Sequence, residues 1–168
     1  SFTHLYNAIS PLLHREPGIV GAALAHAQYA ALIPDLLHVH PGAMRVALRS
    51  IPCLYCVTDS TAAAGMPDGE YKLGSHTVTK CLGGVRLADG TLAGSTLTMD
   101  QALRNLVKIG LPISEASQRL SQFPADYLGL EQRGRLQPGS FADCVRLDRS
   151  LHLTDVMVEG ETIDFKNA

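Results

Sequence analysis

A histidine and an aspartate near the start of the chain have side chains that suit metal binding and proton transfer. His4 follows a short apolar opening, and Asp59 follows the apolar run at 54–58. Imidazole is the commonest metal ligand in proteins. A carboxylate beside a metal-bound water can take its proton and later deliver that proton to a leaving amine. Together, these two residue types suit the hydrolysis of an amide.

Each of these residues also has an ordinary structural interpretation. A single histidine on a strand is more often a core or surface residue than a ligand, and an aspartate after a strand often caps a helix or forms a turn. His38 and His40 would lie on one face of a strand and could share a metal ion. If that strand ends at His38, however, His40 turns into the next helix.

Arg15 and the pair Cys53 and Cys56 are two further motifs with a chemical interpretation. Arg15 stands just before Pro17, which suits the first turn of a helix, and a guanidinium beside free backbone N–H groups suits a phosphate. An exposed arginine next to Glu16 is equally typical of a solvated pair. The cysteines have CxxC spacing, but residues three apart in a strand face opposite sides, so we do not expect them to chelate one ion.

The elements that must position these residues alternate between strand and helix. Short connections between such units favour a parallel sheet, in which all strands end at the same edge. Three strands cannot close a barrel, so further strands are expected upstream of Ser1. We therefore expect this chain to begin within the barrel rather than at its first strand. The predicted order is strand, helix, strand, helix, strand, at 2–9, 20–27, 30–39, 43–48 and 54–57.

The rest of the chain has a different pattern. Glycine-punctuated β runs predict a β excursion over about 67–93. Two helices are predicted next, the first capped by Thr98 and the second ending before Pro124. After Gly134, two short runs predict a small terminal β-layer. The predicted helices cover 98–109 and 114–122, and the predicted terminal strands cover 144–147 and 155–158.

Composition and charge exclude several classes of protein. The 168 residues are 46% hydrophobic and 18% charged, which is typical of a globular protein. The net charge of -2 comes without the basic cluster that nucleic-acid binding requires. The longest apolar runs are far shorter than the roughly 20 residues that cross a bilayer. Four irregularly spaced cysteines indicate reduced thiols in a cytoplasmic protein.

Several segments together resemble one family, the N-acetylglucosamine-6-phosphate deacetylases, which are metal-dependent amidohydrolases. The resemblance covers nearly the whole chain and is specific because the segments share their order and spacing with the family. The segments are Thr3-His4-Leu5-Tyr6-Asn7-Ala8, His14-Arg15-Glu16-Pro17-Gly18, Asp35-Leu36-Leu37-His38, Val57-Thr58-Asp59, Ala64-Gly65, residues 89–99, Gly134-Arg135-Leu136, Pro138-Gly139 and Ala142-Asp143.

The resemblance implies a fold and an activity. The α/β chain would be the C-terminal part of a (β/α)8 barrel, with residues 1–133 in the barrel part and 134–168 in a small β domain. The intact protein would hydrolyse the acetamide of N-acetylglucosamine 6-phosphate to glucosamine 6-phosphate and acetate, using a metal-activated water. Two alternatives are a deacetylase of N-acetylgalactosamine 6-phosphate and a non-catalytic, sugar-phosphate-binding remnant.

The resemblance also implies roles for individual residues. His4 would be a metal ligand, Asp59 the catalytic acid and base, and Arg15 the phosphate-binding arginine. The family usually has glycine where Leu36 stands, so a positive φ there would strain the loop. The other substrate-binding residues would be Asn7, Ala8, Asp35, Leu36, Leu37, His38, Leu92, Ala93 and Gly94.

A partner is expected for two reasons. One histidine cannot hold a catalytic zinc, which needs about three protein ligands. The family's other ligands, a glutamate and a second histidine, would lie upstream of Ser1. An open parallel sheet edge also favours pairing with a further strand, so we expect the isolated chain to be inactive and either unstable or associated, as a homodimer or with the missing N-terminal part. The metal would be zinc, or iron or another transition metal, and the small-molecule partner an amino sugar phosphate.

Overall fold

The computed structural model describes residues 2–164 as an α/β chain with three small sheets. A π-helical segment, Gln118–Gln122, joins two of the helices without a break. Within the described residues, no helix has both the length and the apolar character needed to cross a membrane. The elements are α1 (Gly18–His26), β1 (Tyr29–Leu32), α2 (Pro41–Ser50), β2 (Cys53–Cys56), β3 (Gly69–Leu73), β4 (His76–Cys81), β5 (Gly84–Arg86), β6 (Leu92–Ser95), α3 (Met99–Lys108), α4 (Ile113–Ser117), α5 (Phe123–Tyr127), β7 (Cys144–Leu147), β8 (Leu153–Val158) and β9 (Glu161–Ile163).

The first sheet pairs β1 with β2 in parallel and packs against α2 and α3. Alternate strand residues, such as Leu32 and Leu54, point into this core and are fully buried. On α2, Met44, Ala47 and Leu48 recur at helical spacing and form its buried face. The predicted helix, strand, helix, strand order from residue 20 onward is therefore confirmed.

The ends of the first two predicted strands are wrong. In place of a strand over 2–9, only Phe2 forms a parallel bridge, to Ala30, and the turn after it has positive φ at His4, Tyr6 and Ala8. The second strand ends at Leu32 rather than at 39. It stops because the Asp35 carboxylate accepts the N–H groups of residues 37 and 38 and forms a turn.

The predicted β excursion is confirmed, and it contains one strand more than the three β runs expected there. Strands β3 to β6 form an antiparallel sheet in chain order, closed on one face by a small core of Ala63, Val78 and Val85. Residues 92–94 were expected to be a substrate-contacting loop, yet they belong to strand β6. The reason is antiparallel pairing with the neighbouring strand β5, to which a turn at residues 87–91 connects it.

The helices after this sheet agree with the sequence in part. Helix α3 is confirmed, and Thr98 stands at its N-cap position without a side-chain capping bond. The predicted interruption before Pro124 is wrong, because the helical stretch continues through the π-helical segment into α5. Pro124 is tolerated there because it directly follows the π-helical segment, in which the regular i→i−4 hydrogen bonds are already interrupted.

The terminal β-layer is an antiparallel sheet of β7, β8 and β9. Strand β9 extends it beyond the two predicted strands. Residues 165–168 of the predicted terminal domain lie outside the described residues. Two parallel strands do not make a barrel, so the described part of the chain shows an α/β arrangement but no barrel.

Candidate active site

A cavity of about 640 Å³ lies beside the ends of the parallel strands, with the β5–β6 hairpin forming its other side. Of the predicted site residues, Arg15, Asp35, Leu36 and Leu37 do not line it. Its lining consists of His4, Asn7, Ala8, Ile33, His38, Asp59, Arg86, Thr91, Leu92, Ala93 and Gly94. Chain segments far apart in sequence therefore meet at the edge where parallel strands end, the usual place for chemistry in such folds.

His4 is held in one tautomer by the turn that carries it. Its Nδ1 lies 2.9 Å from the backbone oxygen of Asn7. A carbonyl oxygen only accepts hydrogen bonds, so Nδ1 carries the proton and Nε2 keeps its lone pair. The Asn7 side-chain amide donates to the oxygens of His4 and Leu5 and fixes the same turn. A histidine in this form is prepared to bind a metal or to accept a hydrogen bond through Nε2.

His38 is oriented by a buried aspartate. Its Nδ1 lies 2.6 Å from the Asp35 carboxylate, and the two side chains are only 6% and 5% exposed. Burial alone would raise the pKa of Asp35, but hydrogen bonds from the His38 ring and from the N–H groups of His38 and Leu37 outweigh it and lower that pKa. The ionised carboxylate therefore fixes the His38 ring, and Asp35 reaches the cavity only through His38.

The turn between Asp35 and His38 contains a non-glycine residue in a glycine conformation. Leu36 has φ of 67°, so the strain expected for a side chain at this position is present. The left-handed backbone conformation costs a leucine about 1–2 kcal/mol, a cost that glycine does not have. Leu37 packs toward β5, where its Cδ1 lies close to Gly84. The loop thus accepts strain while it brings His38 to the cavity.

His40 does not form a metal pair with His38. It is the N-cap of α2, and its Nδ1 accepts the N–H of Gly42 at 3.0 Å. The strand that would have placed both rings on one face has already ended at Leu32. His40 is therefore a capping residue, and the shared-metal interpretation of this pair is wrong.

Asp59 follows β2 with a positive φ of 52° and is attached to β6 through its backbone. The N–H of Ser95 donates to the backbone oxygen of Asp59 at 2.8 Å, and the N–H of Thr61 donates to the backbone oxygen of Ser95 at 3.0 Å. The Ser95 hydroxyl also donates to the backbone oxygen of Thr58. These bonds fix the backbone on both sides of Asp59, while its exposed carboxylate faces the cavity.

Gly94 lets β6 come close to Asp59. Its φ is 113°, and a Cβ atom there would stand 2.7 Å from Thr61 Cγ2 and 3.2 Å from the Asp59 backbone oxygen. Both distances are shorter than ordinary carbon contacts. A side chain at this position would displace the segment that carries Asp59.

The Gly94→Ala substitution is therefore expected to destabilise the chain by about 2–3 kcal/mol, combining backbone strain with steric overlap. Gly90→Ala is the matched control, because Gly90 also has positive φ, of 87°, but has open space around its Cβ position. Backbone strain alone should cost the control about 1 kcal/mol. Urea unfolding of both variants measures the difference, and equal losses would show that the close approach to Asp59 is unimportant.

Three lining residues were not found from the sequence: Ile33, Arg86 and Thr91. Ile33 follows β1 and is 1% exposed, as a strand-end residue would be. Arg86 alternates with buried Val85 on β5, and that alternation was the available signal.

Arg15, assigned to the phosphate by resemblance, is an exposed residue in the loop before α1. Among the described residues, Arg86 is the arginine that lines this cavity.

The described residues do not form a complete metal site. No group of three His, Cys, Asp or Glu side chains within 2–164 is arranged to hold a metal ion. His4 is suited to be one ligand, but one histidine is fewer than the roughly three protein ligands of a catalytic zinc. The donor set in this part of the chain therefore fits one ligand position only.

Comparison with known proteins identifies relatives along the whole chain. No family model matches it. A candidate N-acetylgalactosamine-6-phosphate deacetylase of Escherichia coli K12 is 42% identical over 96% of this chain and 99% of its own length. The N-acetylglucosamine-6-phosphate deacetylase of Lysinibacillus sphaericus is 41% identical over 94% of this chain. Of that enzyme, the chain spans 42%, so it covers less than half of this longer relative.

Solved structures agree with these relatives. The N-acetylglucosamine-6-phosphate deacetylase of Thermotoga maritima matches with a TM-score of 0.90 and 40% identity, over 95% of this chain and 45% of the other. A variant of the Mycobacterium smegmatis deacetylase, solved in complex with N-acetyl-D-glucosamine-6-phosphate, matches with a TM-score of 0.88 and 38% identity, over 95% and 44%. The chain belongs to the N-acetylglucosamine-6-phosphate deacetylase family.

Proposed function

We propose that this chain is the C-terminal part of a metal-dependent deacetylase that converts N-acetylglucosamine 6-phosphate to glucosamine 6-phosphate and acetate. The observation that supports it most is the convergence of His4, the Asp35–His38 pair and Asp59 on one cavity. These are the groups that amide hydrolysis requires: a metal ligand, an oriented hydrogen-bonding group and a proton carrier. The reaction belongs to amino sugar metabolism, for which the cytoplasm is the expected compartment.

In the proposed mechanism, Asp59 moves the proton. Its carboxylate accepts a proton from the attacking water as the C–O bond forms at the acetamide carbon. It then gives that proton to the amine nitrogen as the C–N bond breaks, so that acetate and a free amine leave. The carboxylate is suited to this role because its backbone is fixed by Ser95 while its oxygens stay exposed to the cavity. His38, held by Asp35, would hydrogen-bond the substrate through Nε2.

The proposal includes an upstream polypeptide, joined to this chain or separate, that completes the barrel and supplies the remaining metal ligands. We call this chain together with that polypeptide the complete deacetylase. A divalent metal, zinc or another transition metal, would polarise the acetamide and activate water there. His4 would provide one ligand through Nε2. A second copy of the chain is the alternative partner, and residues 1–133 and 134–168 are the proposed barrel and small-domain parts.

The epimer of the substrate has two candidates. Relatives of similar identity act, according to their names, on N-acetylglucosamine 6-phosphate and on N-acetylgalactosamine 6-phosphate. The two sugars differ in the orientation of one hydroxyl group. We propose the glucosamine form, with the galactosamine form as the second candidate because a 42% identical relative carries that name.

Acetate release tests the proposed function. The complete deacetylase, with its zinc content measured, should release acetate from N-acetylglucosamine 6-phosphate, whereas the 18.0 kDa chain alone should not. Comparing kcat/KM for the two epimers decides between the substrates. A metal-loaded complete protein that releases acetate from neither sugar would contradict the proposal and favour the non-catalytic remnant.

A further inference from the structure

The carboxylate of Asp59 is not held directly by another group in the described part of the chain. It is exposed and faces the cavity. Within residues 2–164, its oxygens accept no hydrogen bond from a side chain or from a backbone N–H. A group that transfers a proton must lie within about 2.6–3.2 Å of the atom that gives or takes it. The position of these oxygens therefore depends on the backbone that carries them.

The backbone at Asp59 needs support from outside its own segment. Its φ of 52° lies in the left-handed region, which residues with a Cβ atom adopt at a cost. The parallel pairing of β1 with β2 ends near Val57, whose N–H donates to the backbone oxygen of Leu32 at 2.9 Å. The parallel sheet therefore does not fix residue 59, and the support comes from the end of β6.

The side chain of Ser95 supplies part of this support. Ser95 is fully buried, and its hydroxyl donates to the backbone oxygen of Thr58 while it accepts the N–H of Leu97 at 3.0 Å. A hydroxyl has a single proton to donate, so the bond to Thr58 uses its whole donor capacity. The peptide group directly before Asp59 is thus attached to a buried side chain of β6.

Backbone and side-chain bonds attach the residues after Asp59 to the same stretch. The N–H of Thr61 donates to the backbone oxygen of Ser95, and the Ser60 hydroxyl donates to the backbone oxygen of Leu97. Residues 58–61 are therefore connected to residues 95–97 on both sides of the carboxylate. Of these connections, the Ser95 hydroxyl can be removed without changing any backbone donor or acceptor.

We propose that Ser95 is a positioning residue for the proton transfer, an inference that rests on the proposed function. Ser95 does not line the cavity, so it acts through Asp59 and not on the substrate. Its hydroxyl fixes the peptide group before Asp59 and thereby the direction of the carboxylate toward the attacking water and the leaving amine. Misplacement of a reacting group by about 1 Å can cost roughly 100-fold in rate.

The Ser95→Ala substitution in the complete deacetylase tests this role. For N-acetylglucosamine 6-phosphate, kcat should fall roughly 10–100-fold while KM changes less than about threefold, because the carboxylate is misplaced but the sugar is still bound. Ser121→Ala is the matched control. The Ser121 hydroxyl also donates to a backbone oxygen, that of Ser117 at 2.7 Å, but it lies outside the cavity, so the control should retain full turnover.

A double variant separates positioning from a general loss of structure. In an Asp59→Asn background, Ser95→Ala should lower the residual turnover no further, because the carboxylate that Ser95 positions is already gone. A merely structural role would lower turnover by the same factor in both backgrounds. If Ser95→Ala does not fold, Ser95→Cys takes its place, since a thiol is only a weak donor, and the same selective loss of kcat is expected.

The outcomes distinguish this role from the deacetylase activity itself. If the unsubstituted complete protein releases acetate, and the Ser95 variant either keeps its kcat or loses the same factor in the Asp59→Asn background, Ser95 is not a positioning residue and the proposed function stands. If the unsubstituted, metal-loaded protein releases no acetate, the proposed function fails and the role of Ser95 fails with it.

Discussion

The Asp59→Asn substitution in the complete deacetylase is expected to lower kcat by roughly 10²–10⁴-fold, the contribution typical of a general acid–base group. An amide at this position neither accepts a proton from water nor delivers one to the leaving amine. KM should change little, because the phosphate and the sugar ring are held by other groups. A selective loss in kcat is the signature of a group that acts in the transition state.

Asparagine is the appropriate replacement because of the backbone at this position. Asp59 has φ of 52°, and asparagine accepts a left-handed conformation better than alanine does. The bond from the Ser95 N–H to the residue 59 oxygen should also persist, since it involves only backbone atoms. The variant should therefore keep its fold and its metal, so that lost turnover reports on chemistry alone.

Acetate release at saturating N-acetylglucosamine 6-phosphate measures the effect, with metal content determined for each sample. Asp68→Asn is the matched control, because Asp68 is exposed and lies outside the cavity. The control should retain full turnover. Turnover of Asp59→Asn within a few-fold of the control would remove Asp59 from the mechanism.

The chemistry of one side of the site could be predicted from sequence because it follows strand order. His4 follows the parallel bridge between Phe2 and Ala30, and Asp59 follows β2, so both lie near the edge at which parallel strands end and their proximity follows from topology. The position of His38 could not be predicted from strand order in the same way. The apolar run at 30–39 predicted a strand through His38, but β1 ends at Leu32. The Asp35 carboxylate ends the strand by capping the turn, and this local polar contact outweighs the strand propensity of residues 36–39.

The other side of the site depends on pairing between strands. The resemblance predicted Leu92, Ala93 and Gly94 there, but Arg86 was not predicted. Arg86 reaches the cavity only because β5 pairs with β6 and because Val85 is buried on the opposite face. Positive φ at Leu36 was indicated only by the glycine that the family usually has at this position, because leucine itself rarely adopts that conformation. The site is thus a place where local preference and the fold disagree, as functional sites often are.

Arg119 is a second residue that the sequence did not indicate, and its removal is expected to have the largest effect on stability. It lies in the π-helical segment with a side chain only 6% exposed. Its Nη1 donates to the Leu54 oxygen at 2.9 Å, and its Nη2 donates to the Leu48 oxygen at 3.3 Å and to Glu115 at 2.7 Å. One side chain thus connects the helical stretch to β2 and to the last turn of α2.

These two carbonyl groups explain why the guanidinium is buried. The Leu48 oxygen belongs to the last turn of α2, where carbonyls have no partner within the helix. The backbone oxygen of Leu54 belongs to β2. Among the described strands, only β1 pairs with β2, so the other edge of β2 has no strand beside it. A buried carbonyl without a donor costs about 1–3 kcal/mol. Arg119 satisfies both and shares its charge with Glu115.

The Arg119→Met substitution keeps the volume and removes every donor, so it should lower the free energy of unfolding by about 2–6 kcal/mol, because two buried carbonyl groups lose their donor at about 1–3 kcal/mol each. Arg119→Lys should lie between, since one ammonium cannot reach both carbonyls and the carboxylate. Arg146→Met is the matched control, because Arg146 pairs with Asp155 while 76% exposed, and its loss should cost less than 1 kcal/mol. Urea unfolding of the three variants measures these differences. If Arg119→Met costs no more than Arg146→Met, the buried guanidinium does not hold the helical stretch to the parallel strands, and the packing of the cores must do so alone.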